Sequence, residues 1–558
     1  MQVHTERLGD LALLSSLIDR TGLVSRIDIH FPAHHLWDGP SLGKILKGFL
    51  LYILSENDHR LYEVESWASG HLQSLRWLLL EPDLQVHHFS DDHLGVLLDN
   101  FSKSPTRWLA FQGDHNEQLI RLYDLGVDYS KQIQHEARMD STTVQSYRAL
   151  DGDFQIGHNA KGSDLPQLKA MLLAIDKANL ALAMQIVPGN QGDDKLYCSC
   201  LELAWRLGLP QKHVLIVGDG KLANQENTSY IAKSGNYYLS PLVQRQYTPK
   251  QLLAACQWIE QHRESPKQVI RLAAGAKEAE PIALAIELPG RSIVFEGYQH
   301  QQRLIAVCVL SKKNKRLTQL ESQITQARQA VQERLIRKRG RATLKQEQEA
   351  LDAIKKILAK YKVEHLFKIN IQPPIQKDDS CRIDLQIDQQ VYQDEKLVAG
   401  WRVFGSNAPK EELPPDQVVL CYWEEYRIEQ QFHLLLNKST ALSPIFLKKQ
   451  NRIKALMQIL MLALQYTNLW QYTLRQQLAK EQEPYLQNLI PGNPGRKVDN
   501  PTTALVLRAF KDISLILINT PQKVSVLIQG LDQHHLRILR LLGQDENLYF
   551  THPLCQRT

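Results

Sequence analysis

Three carboxylates set far apart in the chain carry the residue types most able to do chemistry: Asp140 in Arg-Met-Asp-Ser-Thr-Thr-Val, Asp219 in Val-Leu-Ile-Val-Gly-Asp-Gly-Lys, and Glu429 in Tyr-Arg-Ile-Glu-Gln-Gln-Phe. Mg²⁺ takes oxygen ligands in an octahedron and keeps several waters, so a few converging carboxylates are enough to hold it beside a substrate phosphate. Two such ions about 3.5–4 Å apart activate an attacking oxygen and stabilise a leaving one in an in-line displacement. Such a site needs no side-chain nucleophile. Each acid also has a plainer reading: Asp140 as a strand-end turn former, Asp219 as the middle of a Gly-Asp-Gly turn, and Glu429 as a surface helix charge. Gly218-Asp-Gly-Lys221 is not a phosphate-binding Walker loop, because it lacks both the four-residue spacer and the following Ser or Thr.

The elements around the acids decide whether they can meet. Alternation of Ala137, Met139 and Ser141 with Arg138 and Asp140 predicts a strand, Leu168–Ile175 a second, and Leu180–Val187 a third, with the turn composition Asp176-Lys-Ala-Asn179 between the last two. A helix over Asp193–Leu207 is closed by Gly208 and Pro210. The β-branched apolar run His213–Gly218 predicts a strand buried on both faces, followed by a helix over Asn224–Ala232 and a strand over Tyr237–Leu239. Three antiparallel strands followed by βαβ units are the element order of a ribonuclease-H-like core. Pro415–Leu436 reads as one amphipathic helix carrying Glu429 on an otherwise apolar stripe. Arg452–Leu474 reads as a second helix, apolar enough to back it.

The rest of the chain frames this core. Residues 1–128 show helical periodicity at Ser41–Ser55, Leu61–Leu80, His93–Ser102 and Asp114–Leu125, predicting an all-α N-terminal domain. The core falls in two parts, 129–245 and 406–480, split by an insertion over 246–405. Strands are expected in the insertion at Ile282–Leu288, Ser292–Gly297, Arg303–Leu310, Phe367–Ile371 and Cys381–Ile387. Between them, Leu317, Leu320, Ile324, Ala327 and Val331, then Leu351, Ile354, Leu358 and Tyr361, follow an a/d rhythm that predicts an antiparallel helical hairpin over 311–363. Its tip is basic: Arg337, Lys338, Arg339 and Arg341. Such a run suits either a solvated coiled-coil face or the phosphate backbone of DNA. Beyond the Pro-Gly-Asn-Pro-Gly linker, 481–558 read as a helical C-terminal domain, with helices over Thr502–Ile518 and Pro521–Leu542. The fold class is therefore α/β, a ribonuclease-H-like core split by a β-rich insertion with a helical hairpin, flanked by helical terminal domains.

Composition is that of a globular protein of several domains: 558 residues, 43% hydrophobic and 23% charged, with a net charge of +6 that permits a polyanionic partner. The N-terminus lacks a signal-peptide layout, and Ile453–Leu464 is broken by Lys454 and Gln458, so no membrane partner is expected. Seven cysteines without metal or redox spacing read as reduced thiols, and the pairs His34/His35, His87/His88 and His534/His535 as surface or packing residues.

Met139-Asp-Ser-Thr-Thr143, Gly157-His-Asn-Ala-Lys161 with Asp164-Leu-Pro-Gln-Leu168, Pro188-Gly-Asn-Gln-Gly-Asp193, Val217-Gly-Asp-Gly-Lys221 and Tyr422 through Glu429-Gln-Gln-Phe432 together resemble the DDE transposases of bacterial insertion sequences, within the insertion sequence 4 superfamily and most closely its 1634 branch. The resemblance runs over most of the chain and is densest at 134–239 and 401–474. It implies that Asp140, Asp219 and Glu429 are the catalytic, metal-binding triad, served by two Mg²⁺ ions for which Mn²⁺ substitutes. The helix signature of that superfamily is Tyr, Arg three on, Glu four further and Lys seven beyond. Tyr422 and Glu429 fit it, whereas Glu425 stands at the Arg position with Arg427 nearby, and Leu436 at the Lys position with Lys438 two residues later.

His158, Lys161, Lys221, Tyr422, Arg427, Lys438 and the four basic tip residues are the implied DNA contacts, each with a solvated-surface alternative. Trp401 reads as a buried insertion-domain aromatic or as a stacking surface for a flipped base. The partners implied are double-stranded DNA, as terminal inverted repeats and target, and a second copy in a synaptic homodimer. The location implied is the bacterial cytoplasm. The resemblance implies cleavage at element ends and joining of the freed 3′ hydroxyl to target DNA. The alternatives are a ribonuclease-H-like nuclease that cuts without joining, and a DNA-binding protein that has lost activity.

Overall fold

The computed structural model describes the chain outside positions 35, 36, 38, 126–128, 148, 158–161, 163, 176–177, 263–265, 272–279, 337–341, 376–379, 425, 434–446, 522 and 555–558. In chain order the strands are β1 (Gln2–Arg7), β2 (His135–Gln145), β3 (Gln167–Ile175), β4 (Leu180–Pro188), β5 (Val214–Gly218), β6 (Tyr237–Pro241), β7 (Lys267–Arg271), β8 (Glu280–Phe295), β9 (Tyr298–Val309), β10 (Phe367–Gln372), β11 (Arg382–Ile387), β12 (Trp401–Ser406), β13 (Ser514–Asn519) and β14 (Val524–Gln529). The chain forms two compact units, one of residues 1–218, 233–236 and 425–558, the other of residues 219–232 and 237–424.

In the first unit β2, β3 and β4 form an antiparallel meander, and β5 adds to β2 in parallel, from His135 opposite Val214 to Met139 opposite Gly218. The crossover from β4 to β5 is the helix Leu196–Arg206, which packs on β3 and β4 and buries Leu196, Tyr197, Cys200, Leu201 and Ala204. Every residue of β3 is buried, as the apolar run Ala170–Ile175 requires of a central strand covered on both faces, and the polar Gln167 and Lys169 at its start are buried with hydrogen-bond partners. The 29-residue helix Gln450–Leu478 lies against β4 and against the N-terminal helices Leu42–Glu56 and Asp91–Lys103. Buried amides tie these layers: Asn116 Nδ2 donates to the carbonyls of Leu182 (3.0 Å) and Leu207 (2.9 Å), while Gln465 Nε2 donates to Asn116 Oδ1 (2.8 Å) and the Ala181 carbonyl (2.6 Å). Such groups are tolerated in a core because each donor finds an acceptor.

The second unit has a five-stranded sheet in the order β6-β12-β9-β8-β7, antiparallel throughout. Strand β6, which follows the core's βαβ segment in sequence, hydrogen-bonds directly to β12 at the far end of the insertion. The helices Leu310–Leu335 and Glu347–Lys360 close a core with Leu320, Ile324, Ala327, Val331, Ile354 and Leu358, packed on the β10–β11 ribbon. These six are a/d positions read from sequence, whereas Leu317, Leu351 and Tyr361 of the same rhythm are half-buried.

Four expectations need correction. The termini are not purely helical: β1 pairs antiparallel with β13, and β13 with β14, in a three-stranded sheet that joins residues 2–7 to 514–519. Thr502–Ile518 and Pro521–Leu542 accordingly divide into helix Thr503–Ala509, β13, β14 and helix Gln533–Leu541. Runs such as Ser514-Leu-Ile-Leu-Ile518 are too short for periodicity to separate helix from strand, and their β-branched content favours the strand once a partner exists. Ile282–Leu288 and Ser292–Gly297 are one strand, β8, because Pro289-Gly290 is absorbed where the register shifts between Leu288 and Arg291 instead of ending the strand. Leu61–Leu80 is two helices, Leu61–Ser69 and Leu72–Leu78, parted at Gly70.

Pro415–Leu436 is likewise not one helix but Pro415–Trp423 and Tyr426–His433. Val419 and Ile428 are both buried, yet nine residues along a continuous helix they would face about 180° apart. Among the described residues no helix is long and apolar enough to cross a membrane.

Candidate active site

Asp140 sits midway along β2, half-buried and paired with Leu172 of β3, and its Oδ1 accepts the Ser141 main-chain N–H at 2.7 Å. That contact fixes one carboxylate oxygen against the backbone. The helix Tyr426–His433 packs against β2 in the same unit. Among its described side chains Ile428, Gln431 and Phe432 are buried, and Glu429 is exposed. The apolar stripe read from sequence is therefore shifted by one residue: Ile428 occupies the core position and Glu429 projects from the helix flank.

Asp219 is the residue after Gly218, the last of β5, and Gly218 faces Met139 in the parallel register. Its Oδ1 accepts the Lys221 main-chain N–H at 2.9 Å, a turn that Asp makes readily with the backbone two residues on. In the second unit this turn is held from behind. Ser240 Oγ donates to the Asp219 carbonyl at 2.6 Å, and Gln246 Nε2 to the Gly220 carbonyl at 3.4 Å. Arg291 then donates to the Gln246 carbonyl (2.9 Å) and to Gln302 Oε1 (2.7 Å), and Gln302 Nε2 donates to the Tyr238 hydroxyl (3.0 Å). Burial pushes the Tyr238 phenol up, so it stays a neutral member of this chain of hydrogen bonds. A Cβ on Gly220 would lie 2.3 Å from Cγ1 of the exposed Val243 and 3.3 Å from the Pro241 carbonyl oxygen, so the Val243 side chain would have to move to admit one.

Two other glycines of the motif stretches face backbone instead. A Cβ on Gly157 would lie 2.2 Å from the Gly189 carbonyl oxygen, and one on Gly189 would lie 2.0 Å from that of Gln167. Backbone meets backbone there, and Gly189 N–H donates to the Asp153 carbonyl at 3.1 Å, which seats the 151–157 loop on the ends of β3 and β4. Lys169 of β3 and Asp193, both buried, close the same corner with an ion pair at 2.6 Å, and Lys169 Nζ also donates to the Gln191 carbonyl.

Residues 138–466, more than half of the chain, match the model of the family described as Transposase DDE domain. The chain belongs to this DDE transposase family. Residues 3–110 match a second family, described as Domain of unknown function (DUF4277). A piggyBac transposase synaptic complex with hairpin DNA, solved by cryo-electron microscopy, is similar to this transposase at 10% identity and a TM-score of 0.32, over 84% of this chain and 77% of that one. No curated protein matches it.

Among the DNA contacts implied by sequence, Lys221 is exposed next to Asp219, Arg427 is half-buried at the start of the Glu429 helix, and Tyr422 packs edge-on against Phe404 with ring centres 4.9 Å apart. Trp401 is half-buried against the Leu304, Ala306 and Val403 core of the second unit, which gives that aromatic a packing role. His158, Lys161, Lys438, Arg337, Lys338, Arg339 and Arg341 lie outside the described residues. Among the described residues no three His, Cys, Asp or Glu side chains converge as a metal cage. Asp140 and Asp219 each have one carboxylate oxygen oriented by a backbone N–H, and carboxylate oxygen is the hard donor type that Mg²⁺ takes. Sequence reading missed the supporting residues Asn179, Ser240, Gln246 and Arg291. Of these only Asn179 carried a signal, its place in a turn-forming tetrapeptide.

Proposed function

We propose that this transposase cleaves DNA at the ends of a mobile element and joins the freed 3′ hydroxyls to target DNA, with Asp140, Asp219 and Glu429 as the metal-binding carboxylates. The observation that carries the reading is the register of β2 and β5: Asp140 and Asp219 each follow a residue of the same cross-strand pair, Met139 and Gly218, and the Glu429 helix packs on β2. An antiparallel meander with a parallel strand added to its first member supports a ribonuclease-H-like core, and the matched stretches support the 1634 branch of the insertion sequence 4 superfamily.

The protein's own part is orientation. Ser141 N–H and Lys221 N–H hold the two aspartates in fixed rotamers, so little side-chain freedom is lost when a charged ligand arrives. When bound, two Mg²⁺ or Mn²⁺ ions would activate the attacking oxygen and stabilise the leaving one. The basic hairpin over 311–363 supplies phosphate contacts, the 1–128 region serves end binding or dimerisation, and pairing of two ends calls for a homodimer acting in the bacterial cytoplasm.

The experiment is incubation of the protein with linear DNA bearing its element ends, with Mg²⁺ and a target plasmid. Nicking at the ends with joined products supports the reading. Nicking without joined products leaves a nuclease, and binding without metal-dependent nicking leaves a DNA-binding protein.

A further inference from the structure

Glu429 is exposed on the helix described over Tyr426–His433. Most helical stability in proteins comes from tertiary packing, so the place of this helix relative to β2 rests on its tertiary contacts. Those contacts converge on one residue of the β3–β4 turn, Asn179. Its backbone is left-handed (φ 54°), a conformation Asn adopts more readily than most side chains. Its Nδ2 donates to the Arg427 carbonyl at 3.0 Å, and its own carbonyl accepts Gln431 Nε2 at 2.8 Å and Asn468 Nδ2 at 3.1 Å. Arg427 and Gln431 are one helical turn apart and Glu429 lies between them, so the turn grips the helix on both sides of the glutamate. The Gln431 side chain is fully buried, and Asn468 brings in the long helix Gln450–Leu478.

The grip is referenced to the sheet. Strand β3 leads into the turn and is hydrogen-bonded to β2 without a break, Ile175 opposite Ala137 and Leu172 opposite Asp140. We propose that Asn179 is a positioning residue that sets where Glu429 stands relative to Asp140, and so the affinity of the site for its divalent cation. This rests on Glu429 being a metal-binding carboxylate.

Asn179→Gly tests it, because glycine keeps the left-handed backbone and the accepting carbonyl and removes only the amide donor. Residues that orient metal-binding side chains typically change metal affinity or activity by about 10- to 100-fold when removed. The expected result is a shift of that order in the Mn²⁺ dissociation constant measured by calorimetry on the end-DNA complex. A matching rise in the Mg²⁺ needed for half-maximal cleavage, and faster amide exchange within residues 426–433, should accompany it, while the melting temperature and DNA binding stay near wild type. Asn179→Asp, which places a carboxylate oxygen against the Arg427 carbonyl, should shift the same quantities at least as far. Unaltered Mn²⁺ affinity in both variants, or a fall in melting temperature with no change in metal requirement, overturns the role. Glu429→Gln is run beside them: wild-type Mn²⁺ affinity and cleavage in that variant overturn the site reading and this role with it, whereas an inactive Glu429→Gln beside an unaltered Asn179→Gly overturns the Asn179 role alone.

Discussion

Met139 of β2 faces Gly218 of β5, and each is followed directly by one of the two candidate aspartates. A parallel ladder keeps constant register, so each aspartate comes one residue after a member of the same cross-strand pair. Asp140→Asn, Asp219→Asn and Glu429→Gln each keep the side chain's size and remove its charge. Each should lower end cleavage by about two orders of magnitude or more, the scale of losing one preorganised electrostatic group, while end binding and melting temperature change little. A gel assay on labelled ends with a parallel mobility shift measures both, and wild-type cleavage by any of the three removes that residue from the site.

Gly189 and Gly192 are three residues apart and should respond oppositely to the same change. Gly189→Ala forces a Cβ to within 2.0 Å of the Gln167 carbonyl oxygen and 2.8 Å of that of Gln155, whereas a Cβ on Gly192 meets nothing within 4 Å. Gly189→Ala should cost about 1–3 kcal/mol or more through overpacking that neither backbone can relieve. Gly192→Ala should stay within about 0.5 kcal/mol of wild type. Urea unfolding of the two variants side by side is the check.

His115 is fully buried beneath Phe111, with its Nε2 3.2 Å from the Tyr466 hydroxyl, and burial pushes its pKa down to about 3. The folded value lies below the unfolded value of 6.5, so the unfolded chain takes up the proton first as pH falls. Stability from keeping His115 neutral is complete above pH 6.5 and declines towards pH 3, by at most about 1.4 kcal/mol per pH unit. His115→Gln should flatten the slope of unfolding free energy over pH 6.5–4.5, measured by urea unfolding at fixed pH values.

Arg452 and Asp99 join the long helix to the N-terminal helices through two parallel hydrogen bonds, both 2.8 Å, and Arg452 holds the Asp99 carboxyl below the usual carboxylate range. A depressed acid stabilises the fold above its unfolded pKa, and that contribution is lost as pH falls through the folded value. The pair is partly exposed, so a double-mutant cycle with Asp99→Asn and Arg452→Gln should give a coupling of about 1 kcal/mol at neutral pH, screened only partly by salt. A coupling indistinguishable from zero would remove the pair as a clamp between these helices.

Much of this architecture is legible in the amino-acid sequence. Alternation around Asp140, the apolar runs of β3 and β5, and the a/d rhythm of the hairpin are local patterns, and burial in a sheet or helix pair has to respect them. The two aspartates stand out by their place in such patterns: Asp140 lies within an alternating β-type segment and Asp219 directly follows the apolar run of β5. Sequence put Glu429 on the apolar stripe itself, whereas the helix Tyr426–His433 puts Ile428 in the core and leaves Glu429 exposed.

Sequence thus determined most of the extended and helical segments of residues 129–406 and which side chains carry the charge, since backbone preference and hydrophobic period act over a few neighbouring residues, but it misread the strands at the termini as helix. Pairing across hundreds of positions had no local trace. Strand β1 gains its partner only from residues 514–519, β12 finds its place between β6 and β9, and the clamp of Asn179 on Arg427 and Gln431 spans about 250 positions. Those contacts are selected by how whole elements pack and satisfy one another's hydrogen bonds, a choice open only to the assembled chain.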